Sequence, residues 1–218
     1  MSEKKYMVAV PCLDYMPAQF VASLTYMARV GPTRVTFLQN SLVYDARNML
    51  AAEAIDTGAD RVLWLDSDMQ FSVDLMQRLA EDMDAGLDYV CGLFFRRKLP
   101  IVPVISDKIE TSDENGKLTA KVNTYLDYPK DQLFEIAASG FGAVMCSTKM
   151  LKDVYDTYGR PFDPIPGVMG EDYAFCYRAG KLGYKLYCDS RIKVHHVGLM
   201  PFGEEHYVRR EGNSDGAP

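Results

Sequence analysis

Three short apolar runs, Tyr6 to Pro11, Val35 to Leu38 and Arg61 to Leu65, are separated by stretches whose apolar residues recur at helical rather than strand spacing. Such an alternation can be satisfied by a parallel sheet covered with helices, because each strand must be carried back to the same edge before the next begins. The third run, Arg61-Val62-Leu63-Trp64-Leu65, ends directly in Asp66-Ser67-Asp68. In open α/β sheets, ligands bind outside the carboxyl ends of the strands, which is where this acidic pair falls.

Between these runs, Pro17 suits a first helical turn, and Phe20, Val21, Leu24, Met27 and Ala28 recur on one face up to Gly31-Pro32. Asp45 is placed to cap a helix through Ala46-Arg47-Asn48 that stops at Gly58. A further helix is expected from about Val73 to Ala85, leading to a fourth strand at Tyr89-Val90-Cys91-Gly92. Asn115-Gly116 signals a hairpin, so an antiparallel excursion is expected between about Val102 and Leu126. Ile136 to Cys146 reads as a strand broken by Gly140 and Gly142, followed by a helix that Ser147 can cap. A last helix opens at Gly170-Glu171-Asp172 and closes at Gly180 to Gly183, with Tyr184 to Cys188 as a short strand behind it.

The expected architecture is therefore α/β: one domain over residues 1–210, with a mixed, mostly parallel central sheet flanked by helices and a small antiparallel excursion. Its first half, about 1–98, reads as nucleotide-binding, its second half, about 99–210, as acceptor-binding, and residues 211–218 as a disordered tail. The apolar run after Lys5 is interrupted by Pro11 and Asp14, too soon for a signal peptide or a membrane span, so a cytoplasmic protein is expected. Five cysteines without a CxxC pair indicate neither a zinc site nor a disulfide framework. A formal charge of −6 gives no general attraction to nucleic acid or anionic membrane, although a local basic patch is compatible with it.

Several groups of residues bear on chemistry. With strand geometry, residues two apart face the same way, so Asp66 and Asp68 can both point into the crevice. Two adjacent carboxylates repel unless a cation or proton joins them, and a divalent metal bridging a diphosphate is one solution. The alternative is a helix cap or a pair facing water. The chain has only three histidines, and two are adjacent, His195-His196. An imidazole beside carboxylate and phosphate oxygens makes a donor set that manganese tolerates, whereas magnesium prefers oxygen throughout. A packed or surface pair is the alternative.

Glu171 and Asp172 fall in the first turn of a helix, where the dipole favours ionised carboxylates. Such a group can take the proton from an attacking hydroxyl, and it can equally be an ordinary stabilising choice. Gly140 and Gly142 suit close approach of backbone to a ligand, or a bulge. Arg47 and Asn48 can meet a phosphate or ribose, or lie on the surface. Arg96-Arg97-Lys98 follows a strand end and reads as a phosphate contact or a solvated loop.

Taken in order, Val8-Ala9-Val10-Pro11, Asp45-Ala46-Arg47-Asn48, Leu63 to Met69, Ser139-Gly140-Phe141-Gly142, Gly170 to Cys176 and Val194-His195-His196-Val197-Gly198 resemble the GT-A glycosyltransferases, particularly the family 2-like group of bacteria and phages. The resemblance implies a GT-A, Rossmann-like domain and transfer of a sugar from a nucleoside-diphosphate sugar, a UDP-sugar by preference, with Mn2+ or Mg2+. It makes Asp66-Ser67-Asp68 the DxD motif, with Asp68 the direct metal ligand, Asp66 nearer the ribose or a metal-bound water, and His196 the second protein ligand in preference to His195. It makes Asp172 the base of an inverting enzyme, Glu171 its neighbour in the acceptor site with Gly140 and Gly142, and Pro11 the start of the loop holding the base. Arg47, Asn48, Ser67 and Arg97 complete the expected nucleotide-sugar contacts.

Gln39-Asn40 departs from the acidic residue that many members carry after strand two. The acceptor is open: a polysaccharide or lipid precursor, a protein or a modified DNA base. The competing readings are a sugar-nucleotide nucleotidyltransferase, whose Gly-rich basic loop after strand one is not matched by Pro11-Cys12-Leu13-Asp14-Tyr15, and a catalytically inactive nucleotide-sugar-binding protein.

Overall fold

The computed structural model describes residues 4–29, 31, 34–114, 117–198, 201–204 and 207. Strand β1 (Tyr6–Pro11) leads through helix α1 (Ala18–Met27) to β2 (Arg34–Leu38), and α2 (Val43–Asp56) leads to β3 (Arg61–Leu65). Then come β4 (Met69–Gln70), α3 (Leu75–Asp84), β5 (Tyr89–Leu93), the ribbon β6 (Ile105–Glu114) and β7 (Lys117–Thr124), and β8 (Leu133–Ile136). The chain continues through β9 (Ala138–Ser139), β10 (Ala143–Ser147), α4 (Thr148–Tyr158), α5 (Glu171–Lys181), β11 (Leu186–Lys193), β12 (His195–Val197) and β13 (Pro201–Phe202).

Seven strands form the central sheet in the order β2-β1-β3-β10-β5-β11-β8. Only β10 and β8 run against the other strands, so the sheet is mostly parallel, as expected. Its interior strands are buried on both faces, which is why they read as continuous apolar runs rather than alternating ones. Along β3, Val62 and Trp64 enter one core, with α2, α4 and α5, while Leu63 and Leu65 enter the other, with α1 and α3. The same division holds along β1, where Met7 and Ala9 oppose Val8 and Val10. Each large side chain so buried contributes about 1.5–3 kcal/mol by removal from water.

Two small antiparallel sheets complete the fold, β13-β12-β4 and β7-β6-β9. The second is the anticipated excursion; its Asn115-Gly116 turn lies outside the described residues, as do His206 and the tail 211–218. All five cysteines are buried and unbridged. Among the described residues no helix is long and apolar enough to cross a membrane.

Some local expectations are corrected. Pro17 is the N-cap of α1 rather than part of its first turn, and Val21 is 45% exposed, because the buried face is made by Phe20, Ser23, Leu24 and Met27. Leu42, not Asp45, is the N-cap of α2; Asp45 lies inside the first turn and is drawn into an ion pair with Arg160. The span Ile136 to Cys146 is not one interrupted strand but parts of β8, β9 and β10 in two different sheets. Strand β11 starts at Leu186 and runs on through the polar Asp189-Ser190-Arg191, because Asp189 is satisfied by the backbone N–H and the guanidinium of Arg191. Ser147 caps α4 as anticipated, its hydroxyl accepting from Met150 N at 3.1 Å.

Candidate active site

A cleft of about 360 Å³ opens at the carboxyl ends of β1 and β3. Its lining brings together Pro11, Arg47, Asp66, Ser67, Asp68, Arg97, Glu171, Asp172 and His196, nine of the candidate positions, from segments up to 185 residues apart. Cys12, Leu13, Ser41, Val43 and Ala46 also line it. Those five carry no chemical signature in the sequence, but they follow the ends of β1 and β2 or open α2, where any ligand in the crevice must be met.

One wall is built by main-chain pairing. Strand β12 lies antiparallel to β4, with His196 opposite Met69, and Val197 N donates to Asp68 O at 2.8 Å. That register brings His196 Nε2 to 3.3 Å from Asp68 Oδ2. His196 Nδ1 is 3.1 Å from Phe95 O, and since a carbonyl can only accept, Nδ1 carries a hydrogen. With Nδ1 so engaged, a second hydrogen on Nε2 is donated to Asp68 in the imidazolium, and its loss frees the Nε2 lone pair for a cation, as outer partners arrange for metal-binding histidines. Asp68 is also contacted by Arg97 Nη2 at 2.9 Å. Burial works to raise the Asp68 pKa, but the hydrogen bond and charge of His196 and the charge of Arg97 hold it below the ordinary value.

The opposite wall is organised by Arg47, whose side chain is only 3% exposed. Its Nη2 donates to Asp66 Oδ1 at 2.7 Å and its Nη1 to Glu171 Oε1 at 2.6 Å. The guanidinium lies 5.3 Å from the ring of Phe141, itself packed against Trp64, Phe162 and Phe175. Burial alone would lower the Arg47 pKa; Asp66, Asp172 and Glu171 outweigh it and raise the value, so one fixed cation serves three carboxylates. Asp66 lines the cleft beside Asp68, with its Oδ1 engaged by Arg47. Among the described residues no three His, Cys, Asp or Glu side chains gather as a metal cluster; Asp68 and His196 meet as a pair. A pair suffices for a cation that takes its remaining oxygens from phosphates and water.

Asp172 opens α5 beside this arginine. Burial, reinforced by Glu171 and Asp66, pushes its carboxyl up to about 6 against the pull of Arg47 and the Tyr173 N–H, which donates to Oδ1 at 2.7 Å. Glu171 is engaged with Arg47, so Asp172 is the carboxylate of this wall placed to exchange a proton near neutrality.

Other expected contacts fall elsewhere. Asn48 does not line the cleft: its side chain accepts from Phe162 N and donates to Asp163 Oδ1, both at 2.9 Å, fastening α2 to the segment before α5. Gly140 and Gly142 are buried beneath the cleft. A Cβ on Gly142 would lie 2.3 Å from Met69 Cε and 2.9 Å from Phe94 Cζ, and one on Gly140 would lie 2.8 Å from Val104 Cγ1. What approaches these glycines closely is protein.

Neither a family model nor a curated protein matches the sequence. Solved structures do match. A197 from STIV superposes with a TM-score of 0.61 at 16% identity, over 89% of this chain and 86% of that one. A structure titled as GalNAc-T7 with UDP, GalNAc and Mn2+ superposes with a TM-score of 0.58 at 13% identity, over 89% of this chain. The chain has a GT-A fold. It spans 44% of the GalNAc-T7 chain, so the likeness concerns the GT-A unit alone. In this GT-A frame the cleft lies at the carboxyl edge of the parallel strands, with Asp68 and His196 on one wall and Arg47 and Asp172 on the other.

Proposed function

We propose that this protein is a metal-assisted glycosyltransferase that moves a sugar from a nucleoside-diphosphate sugar, a UDP-sugar by preference, to an acceptor hydroxyl. One observation carries the reading: a single cleft faces a carboxylate–imidazole pair, Asp68 and His196, with a carboxyl poised near neutrality, Asp172. The GalNAc-T7 structure with UDP, GalNAc and Mn2+ supports the choice of donor class and cation for the shared fold.

Asp68 Oδ2 and His196 Nε2 would hold the cation, and the tautomer enforced by Phe95 O suits that role. A bound Mn2+ or Mg2+ supplies charge neutralisation for the departing diphosphate. Asp172, ionised above about pH 6, takes the proton of the acceptor hydroxyl as its oxygen bonds to the anomeric carbon. The bond from that carbon to the diphosphate oxygen breaks, and its electron pair leaves with the nucleoside diphosphate. Arg47 fixes Asp66 and Glu171 by ion pairs, and Pro11, Ser67 and Arg97 line the same cleft on the donor side.

The test is release of nucleoside diphosphate from a panel of nucleotide sugars, with Mn2+ and with chelator, alongside the melting temperature of each mixture. Stabilisation by one donor, dependent on the cation, is the expected result. A panel in which no nucleotide sugar raises the melting temperature sinks the assignment. Release of inorganic pyrophosphate on incubation with a nucleoside triphosphate and a sugar phosphate would identify a nucleotidyltransferase instead.

A further inference from the structure

Two arginines line the cleft, and they are built for different tasks. Arg47 is buried and held by two carboxylates on a floor of aromatic rings. Arg97 is 44% exposed and held by Asp68 Oδ2 at 2.9 Å and by the backbone oxygen of Val197 at 3.0 Å. It follows β5, on the rim where that strand gives way to the loop before β6.

The oxygen that Arg97 holds is the one that His196 Nε2 also approaches. A cation shared by Asp68 and His196 must use that oxygen, and it would then lie within a few ångströms of a guanidinium of like charge. The guanidinium has little to lose by leaving, since a half-exposed ion pair and one backbone contact are weak restraints. A diphosphate held by the cation offers it a better partner, because a planar fork meets phosphate oxygens with two parallel, charge-assisted hydrogen bonds.

We propose that Arg97 is an exchangeable counter-ion, which gives up Asp68 to the cation and moves to the diphosphate of the donor. The inference rests on the nucleotide-sugar reading above and adds a consequence to it. Cation and nucleotide bind with positive coupling, because each makes the other's entry easier through one side chain. Arg97 is thereby a positioning residue whose partner reports the state of the cleft.

Calorimetric titrations of Mn2+ alone, and of UDP at saturating Mn2+, test this with wild type, Arg97→Gln and Arg97→Lys. For Arg97→Gln, Mn2+ alone should bind about threefold to fivefold more tightly, the scale of a half-exposed ion pair. UDP should bind about tenfold more weakly, the scale of a charge-assisted bond to phosphate. The two effects have opposite signs, which a general loss of structure would not produce. Arg97→Lys keeps the charge without the fork, so Mn2+ affinity should stay near wild type while UDP affinity falls. Unchanged or weaker Mn2+ binding by Arg97→Gln, with wild type binding both Mn2+ and UDP, overturns the role of Arg97 and leaves the glycosyltransferase reading intact. Wild type that binds neither overturns both.

Discussion

The three carboxylates around Arg47 do not share it equally. Asp66 and Glu171 hold its two Nη atoms, whereas Asp172 has the field of the guanidinium and the Tyr173 N–H against the cost of burial. A carboxyl raised from 3.8 to about 6 favours the protonated fold, so its contribution is intact below 3.8 and lost as pH rises through 6. Wild type therefore carries a cost of about 3 kcal/mol at pH 7.5 that shrinks to about 1 kcal/mol at pH 4.5. Asp172→Asn should raise the melting temperature at pH 7.5 and much less at pH 4.5; a gain that is the same at both values refutes the assignment. The same substitution should lower turnover about 10²- to 10⁴-fold while leaving UDP affinity unchanged, and the wild-type rate should climb with pH through about 6. Arg47→Met removes the shared cation and strands buried carboxylates, with an expected loss of about 3–5 kcal/mol in urea unfolding. Stability within 1 kcal/mol of wild type would mean that the three carboxylates are solvated without it.

At the scale of elements, the glycines beneath the cleft set how closely β4 and the start of β10 approach. Gly142→Ala places a methyl group against Met69 and Phe94, so we expect a loss of about 1–3 kcal/mol by denaturant unfolding, with UDP affinity reduced because Met69 is paired with His196. An unchanged midpoint would show that Met69 yields freely. The strands β1, β3 and β5 were legible in the sequence because a strand buried on both faces leaves an uninterrupted apolar run. Strand β12 was not, since three residues of which two are histidine carry no periodicity, and its partner β4 is only two residues long. Asp45 shows the limit of cap rules: a side chain of the preferred type stood close to the right place, and tertiary pairing with Arg160 took it instead. His196 and the carboxylates of Asp66 and Asp68 were legible as candidates. The resemblance put Asp68 beside His196, and they lie 3.3 Å apart; that Asp66 would face Arg47 was not legible, because alternation along a strand does not say which partner the opposite wall supplies.

For the whole molecule, each wall of the cleft joins residues from two distant parts of the chain, 11–97 and 171–196, so ligand binding ties the ends of the fold together. A donor present at a hundred times its dissociation constant, with the cation saturating, should stabilise the protein by about 2.7 kcal/mol beyond the cation alone, and chelator should abolish the gain. Differential scanning calorimetry with UDP, with and without Mn2+, measures it; equal stabilisation in chelator would remove the cation from the account.

The partnership of Asp68 and His196 is fixed by main-chain pairing between β4 and β12 rather than by the identity of either side chain. Ligand chemistry at position 196 can therefore be exchanged without moving the position itself. On the proposed function, His196→Asp would convert a mixed nitrogen and oxygen donor set into one of oxygen alone, and the affinity for magnesium relative to manganese should rise. On that proposal the scaffold would act as a socket, in which one codon selects the ion.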